Sequence, residues 1–331
     1  MPATGVGRWL VPLAAILGVG VVVEALVFRM FSRTGIYLFN DDTDRWVYDA
    51  YQTSVWLGNA MFNFSALIVI LLVAVGAWRL WKGRDGAGRL LAGAAAGLLI
   101  WNILLFFTSS GPIPTILYLV ASISFVTLAV TSSWPGASTP VRAAMALLAA
   151  SFLCVYYFGA VAPLRIEGLE FADQRVRVFQ AGEILGGLAI LASFAAWGRT
   201  RNLRVLIPAA FVGLVLAGGL IAGPERFPLI TTWALGVTMS MPWFVYAATG
   251  TLLALTVLNL LRTGRPLLGL ALIFLFLTHR MLPLTYFNLL ILAGFLLIAV
   301  DRIETLPLQW QASSRASVGS SRPGGINPTI V

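Results

Sequence analysis

The sequence predicts an all-α fold: a polytopic transmembrane helix bundle of 9–10 spans, with broken or re-entrant segments in the last third. The first observation is composition, because 59% of the 331 residues are hydrophobic and only 11% are charged. The mean hydropathy of +0.89 is far above that of a soluble domain. The second observation is that nine or ten separate apolar runs are long enough to be buried in lipid, where backbone polar groups require helix.

The first seven apolar runs are regular. Trp9–Phe28 has about 20 residues, which as a helix span the ~30 Å hydrocarbon core. No small-residue cleavage site follows it, so it is interpreted as a retained span and not as a signal peptide. The next six predicted spans are Val55–Trp81, Leu90–Thr108, Thr115–Trp134, Ala143–Pro163, Val178–Trp197 and Val205–Gly223.

The last third is less regular. Thr231–Leu261 would extend ~46 Å as one helix, which is too long for a bilayer. Pro242 near its middle suits a first helical turn, so a helix is predicted at Pro242–Leu261. Phe227–Met241 is then a re-entrant or interfacial segment.

Two short apolar runs follow, Leu267–Thr278 and Leu284–Val300, which form either two short helices or one broken helix. The tail is rich in Ser, Gly, Arg and Pro, a composition typical of disorder. The predicted organisation is therefore a transmembrane bundle over residues 1–301 and a disordered cytoplasmic tail over residues 302–331.

The distribution of basic residues predicts the orientation. With the N-terminus inside and three crossings in the last third, 14 Lys and Arg residues fall inside and eight outside. Cytoplasmic loops carry the excess of basic residues, so both termini are expected in the cytoplasm of a bacterial-type inner or plasma membrane. Ten of the 13 acidic residues then fall outside, where any carboxylate chemistry is expected.

Residue usage excludes several kinds of site. His279 is the only His, so a haem held by two His residues is excluded. Cys154 is the only Cys, which excludes a Cys-based metal site. The net charge is +9, but the basic residues lie in short turns between apolar runs, so the expected partner is membrane lipid and not nucleic acid.

The first outer loop, Arg29–Ser54, is the densest polar segment. Its close carboxylates repel one another, which favours either protonation or a bound cation, and thus a general base or a divalent cation with oxygen ligands. The cofactor, if there is one, is not determined. The alternative is a solvated connector whose aromatic residues form an interfacial belt. The candidate catalytic residues are Asp41, Asp42 and Asp44, and Tyr48 and Tyr51 are candidates to bind substrate, since aromatic side chains suit stacking on a sugar ring.

Two carboxylates lie within predicted spans, Glu24 in the first and Glu183 in the sixth. A charged group in the bilayer costs at least ~2.5 kcal/mol, so it normally faces the bundle interior. Both residues are candidates to relay protons or to bind a cation. A structural ion pair with Arg29 or Arg280 is the alternative.

His279 and Arg280 interrupt an apolar run, which suits a phosphate clamp at the membrane surface. Alternatively, Arg280 reaches the lipid phosphates without any substrate.

Two segments resemble multi-pass glycosyltransferases of the GT-C superfamily, which use polyprenyl-phosphate sugars. The resemblance implies that an acid of the first outer loop acts as general base on the acceptor hydroxyl. It also implies that Arg280, with His279, holds the lipid phosphate. The segments are Asp41-Asp42-Thr43-Asp44 with Tyr48 and Tyr51, and His279-Arg280-Met281-Leu282-Pro283.

The sequence leaves three functions open. The first is a lipid-linked glycosyltransferase acting at the outer membrane surface. The second is a transporter or permease that uses Glu24 and Glu183, and the third is a non-haem subunit of a larger membrane complex. Whether the chain is an enzyme stays undecided between them.

Overall fold

The computed structural model describes residues 9–23, 45–83, 86–107, 112–161, 171–222, 243–278 and 288–302. All regular structure within these residues is helical, which confirms the all-α prediction. The described helices are α1 (Leu10–Val23), α2 (Arg45–Lys82), α3 (Gly86–Phe107), α4 (Pro112–Ser132), α5 (Thr139–Val161), α6 (Phe171–Ser193), α7 (Leu203–Ala222), α8 (Trp243–Arg262), α9 (Pro266–Thr278) and α10 (288–302). A π-helical turn, Phe194–Gly198, directly continues α6.

The helices are those of a multi-pass membrane protein. Among the described residues, four stretches are long and apolar enough to cross a membrane: Val55–Lys82, Gly86–Leu105, Thr139–Tyr157 and Arg177–Gly198. Each of them coincides with a span that the sequence predicted. The described apolar stretches of the other helices are shorter than these four.

Two helices begin seven or more residues earlier than predicted. α2 starts at Arg45 and has 38 residues, or ~57 Å, which is nearly twice the hydrocarbon thickness. The expectation that residues 45–54 belong to a loop was wrong, because this stretch contains no Gly or Pro that would stop a helix. α6 likewise starts at Phe171 instead of Val178.

Contacts between helices close a ring. α1 packs on α2, and each helix up to α6 packs on the next. α6 then contacts α8, α8 contacts α9, and α9 returns to α1. α7 joins this ring from outside, through its contact with α8.

The centre of the bundle is α10, in which every residue from Asn288 to Asp301 is buried. The ring of Phe295 meets that of Phe152 of α5 edge-on, with 5.4 Å between centroids. Leu296 reaches Gly76 of α2, where a Cβ would lie only 2.6 Å from its Cδ2 atom. These contacts on different sides explain why α10 has no lipid-facing surface.

α9 and α10 are two separate antiparallel helices, which decides between the two arrangements that the sequence left open. Arg265, directly before α9, contacts Asp301 near the end of α10. Leu275, near the other end of α9, packs against Gly294. With 13 residues in α9 and 15 described in α10, each measures only ~20–22 Å. The predicted re-entrant segment, 227–241, and the tail, 303–331, lie outside the described residues.

Candidate functional site

Glu183 is the candidate carboxylate that the structure describes, and it lies inside the bundle. It sits three turns into α6 and is only 5% exposed, within the membrane-crossing stretch Arg177–Gly198. A charge at this depth is expected to face protein and not lipid, and the burial of Glu183 agrees with that.

Small residues bring α5 and α6 close together beside Glu183. The Ser151 hydroxyl donates a 2.7 Å hydrogen bond to the carbonyl oxygen of Gly182. A Cβ at Gly182 would lie 2.9 Å from the Cβ of Cys154, so no larger residue fits there without movement. Close approach through Gly and Ser is typical of packed membrane helices, and here it fixes the backbone that carries Glu183.

The start of α2 carries the described part of the first outer loop. Tyr48 is 50% exposed, and its hydroxyl accepts a 3.0 Å hydrogen bond from the Gln52 side chain one turn later. Tyr51 lies on the same helix, one turn before Val55, where the membrane-crossing stretch begins. The α2 extension, Arg45–Ser54, therefore projects Tyr48 and its neighbours beyond that stretch.

The other candidates of the sequence fall outside the described residues. These are Asp41, Asp42, Asp44, Glu24, His279 and Arg280. The pairing of the loop aspartates with Arg280, and of Glu24 or Glu183 with Arg29 or Arg280, therefore stays a prediction. Among the described residues, no group of three or more His, Cys, Asp or Glu side chains is placed to hold a metal ion.

A cavity of about 230 Å³ lies at the opposite end of α6 from its start at Phe171. Its lining combines apolar side chains with polar and charged ones. The elements that meet here are the α4–α5 turn, the π-helical turn, the start of α9 and the end of α10. The polar and charged lining residues are Ser133, Ser138, Arg265, Asp301 and Arg302, and the apolar ones include Val141, Met145, Leu268 and Ile298.

An ion pair closes one side of this cavity. A terminal guanidinium nitrogen of Arg265 donates to a carboxylate oxygen of Asp301. The Asp301 side chain is only 7% exposed and that of Arg265 is 32% exposed. Asp301 lies near the end of α10, directly after its apolar residues. Burial raises the pKa of the Asp301 carboxyl, and the hydrogen bond from Arg265 opposes that rise.

The end of the bundle around this cavity is strongly basic, and we call it the basic face. The described helix ends at this face carry ten Lys or Arg residues and one carboxylate, that of Asp301. Their common location agrees with the alternation of crossings that the sequence predicted. The basic residues are Arg79, Lys82, Arg89, Arg142, Arg199, Arg201, Arg204, Arg262, Arg265 and Arg302.

Trp197 of the π-helical turn lines the cavity, and contacts with α8 hold this turn in place. The Asn259 side-chain amide of α8 donates a 2.6 Å hydrogen bond to the backbone carbonyl of Trp197. A Cβ at Gly198 would lie 2.8 Å from the hydroxyl of Thr256, so α8 also packs closely against this turn. A π-helical turn widens the helix locally and is frequent at functional sites.

A second polar cluster lies between α3, α4 and α5 and contains no charge. The Asn102 amide donates a 3.0 Å hydrogen bond to the Tyr118 hydroxyl. Ser122 is within hydrogen-bonding reach of both Tyr118 and Tyr156. The bond from Asn102 to Tyr118 joins two helices, as polar side chains commonly do between membrane helices.

Sequence reasoning missed the basic-face cavity. It placed Arg265 and Asp301 on the same side of the membrane but gave no reason to pair them, because 36 residues separate them. A signal for this pairing was present in the sequence. Arg265 and Pro266 precede the first of two short apolar runs, and Asp301 and Arg302 follow the second; neither run is long enough to span a membrane by itself. An antiparallel pair of such runs brings Arg265 next to Asp301.

Comparisons of the chain with protein-family models, with curated proteins and with solved structures find no match. The functional argument therefore starts from the chain's own residues.

Proposed function

We propose that this multi-pass membrane protein is a transporter or permease in which Glu183 binds the transported or coupling cation, a proton included. The observation that carries the proposal is the burial of this carboxylate, 5% exposed, inside a membrane-crossing helix. Keeping a carboxylate there is costly by ~2.5 kcal/mol or more. Intramembrane carboxylates of this kind mark ion pathways and proton relays.

Two further features support transport. α6 ends in the π-helical turn Phe194–Gly198. Trp197 of this turn lies about 21 Å from Glu183 along the helix axis. The described parts of α9 and α10, with 13 and 15 residues, are each shorter than the ~30 Å hydrocarbon core. Interrupted and short helices are typical of transporters, because such helices line a binding site near the middle of the membrane.

Proton and cation flux through the purified protein tests this proposal. Proteoliposomes holding a pH-sensitive dye are given a potassium diffusion potential in sodium, potassium or choline buffer. The wild type is expected to acidify or alkalinise the lumen faster than protein-free vesicles. Glu183→Gln is expected to lower that flux at least tenfold, because the neutral amide cannot exchange a proton or neutralise a cation.

Two variants distinguish the loss of the Glu183 carboxylate from a disturbance of the contact between α5 and α6. Glu183→Asp keeps the charge and is expected to keep partial flux. Ser151→Ala removes the hydrogen bond to Gly182 at the same α5–α6 contact and is expected to keep flux close to wild type. Wild-type flux equal to that of empty vesicles, or full flux in Glu183→Gln, would contradict the proposal.

A lipid-linked glycosyltransferase is the second candidate, with a polyprenyl-phosphate sugar as donor. It is supported by the α2 extension, which carries exposed Tyr48 beyond the membrane-crossing stretch, directly after Asp41, Asp42 and Asp44 in the chain. In this proposal one of these aspartates is the general base, and His279 and Arg280 hold the lipid phosphate.

Transfer from a radiolabelled polyprenyl-phosphate sugar distinguishes the two candidates. Asn replaces Asp41, Asp42 and Asp44 one at a time. The variant that removes the general base is expected to abolish transfer, whereas Glu183→Gln is expected to leave transfer unchanged. The reverse pattern supports the transporter. If neither set has an effect and the protein purifies only with partner chains, the chain is instead a non-haem subunit of a larger complex.

We also propose that the basic face is cytoplasmic in a bacterial-type inner membrane, with both termini on that side. The support is the distribution of Lys and Arg, because the described helix ends carry ten of them at this face and three, Arg45, Arg175 and Arg177, at the opposite end. An impermeant thiol reagent tests it in a Cys154→Ser background. Arg201→Cys is expected to react only after the cells are opened, and reaction in intact cells would reverse the orientation.

A further inference from the structure

The basic-face cavity is distinct from the region around Glu183, from which it is separated by most of the length of α6. It has a volume of about 230 Å³, several times that of one water molecule. We propose that it binds a phosphate group, carried either by a free phosphate compound or by the headgroup of a membrane phospholipid.

Arg265 provides the main contact in this proposal. Its guanidinium donates to Asp301 through one terminal nitrogen. The Arg265 side chain is 32% exposed, so its guanidinium keeps accessible N–H groups that can donate to a ligand that supplies oxygen atoms. Phosphate matches the planar fork of a guanidinium, which donates two parallel hydrogen bonds.

Asp301 is a positioning residue. With its side chain 7% exposed behind Arg265, it fixes the guanidinium at the cavity wall. It also offsets one of the two positive charges of the lining, Arg265 and Arg302, so the lining keeps a net charge of +1. The wider basic face adds a positive field that concentrates anions at the mouth.

The rest of the lining indicates a phosphate ester. Val141, Met145, Leu268 and Ile298 give the cavity an apolar surface in addition to its charged residues. Inorganic phosphate would leave this surface without a partner, whereas an ester places its organic part there. Pockets of basic residues between helices at the cytoplasmic surface are a recognised arrangement for anionic lipid headgroups.

The test uses the full-length protein and two probes. Inorganic phosphate is titrated into detergent-solubilised protein and followed by equilibrium dialysis with radiolabel. Phosphatidylglycerol or phosphatidylcholine is offered in mixed micelles, and retained lipid is counted by native mass spectrometry. Retention of phosphatidylglycerol alone assigns the cavity to a headgroup, and binding of inorganic phosphate assigns it to a soluble phosphate compound.

Three variants locate the binding. Arg265→Gln combined with Asp301→Asn keeps a neutral hydrogen-bonded pair and is expected to weaken probe binding at least tenfold. Arg302→Gln leaves the Arg265–Asp301 pair intact and is expected to weaken binding three- to tenfold. Arg201→Gln removes the same charge from the same face but does not line the cavity, and it is expected to leave binding within twofold of wild type.

Wild type that binds neither probe would overturn the proposal. Equal losses in Arg302→Gln and Arg201→Gln would overturn it as well, since they would mean that the whole basic face attracts anions without a defined cavity. If the double variant does not fold, the comparison of Arg302→Gln with Arg201→Gln still decides. Flux through Glu183 is measured separately, so this result and that of the proposed transport are independent.

Discussion

α7 and α10 are both apolar helices, yet they occupy opposite environments. α7 exposes Leu203, Ile207, Phe211 and Leu214 on one side, each by 65–70%. α10 is buried at every residue from Asn288 to Asp301. Hydropathy does not distinguish the two, because lipid chains are as apolar as a protein core. Their difference comes from packing, so substitutions that test packing should separate them.

The largest expected effect is at the aromatic contact in the centre. Phe295→Ala removes a fully buried ring that meets Phe152 edge-on and leaves a void. We expect a loss of about 3–5 kcal/mol in the free energy of unfolding, measured by denaturant titration in mixed micelles. Phe211→Ala on α7, where the ring faces outward, is expected to cost less than about 1 kcal/mol. Equal losses would mean that α10 is not central.

A matched pair of glycines gives the next largest effect. A Cβ at Gly294 of α10 would lie 2.6 Å from the Cγ of Leu275, whereas a Cβ at Gly97 of α3 would meet nothing within 4 Å. Gly294→Val should therefore lower the unfolding free energy by about 1–3 kcal/mol through overpacking. Gly97→Val should change it by about 0.5 kcal/mol or less. Thermal unfolding in detergent measures both, and a tolerated Gly294→Val would contradict the α9–α10 contact.

The ion pair at the end of α10 is expected to contribute less. Asp301→Ala removes a hydrogen bond to a charged group, but the 32% exposed Arg265 side chain regains water. We therefore expect a loss of about 1–2 kcal/mol. Arg201→Ala, an exposed residue at the same face, serves as control and should stay within about 0.5 kcal/mol of wild type. High salt should not abolish the Asp301 effect, since that carboxylate is buried.

The smallest effect is expected in the ring of outer helices. Tyr118→Phe removes the hydrogen bond from Asn102 and keeps the aromatic ring and its edge-on contact with Trp101. Interhelical hydrogen bonds in membranes contribute about 0.6 kcal/mol, so the loss should be of that size. Tyr157→Phe, at an exposed position of α5, should have no measurable effect. A loss above about 2 kcal/mol would assign the cluster a larger structural role.

Helix positions were largely predictable because they depend on local properties. Runs such as Leu90–Thr108 and Pro242–Leu261 reappear as α3 and α8 within a few residues. The predicted helix boundaries were wrong where a polar stretch was interpreted as a loop, as at Arg45–Ser54. That stretch is polar because it extends beyond the membrane-crossing stretch, and polarity alone does not stop a helix.

The sequence by itself determined the helical class, the membrane environment and the gathering of basic residues at one face, since each depends on composition and on the order of apolar and charged segments. Only the tertiary structure decided that α10 is the centre and that Arg265, Asp301 and Trp197 share a cavity. The physical reason is that these contacts join residues far apart in the chain. In lipid, an apolar side chain is equally stable against a neighbouring helix or an acyl chain, and shape complementarity makes the choice.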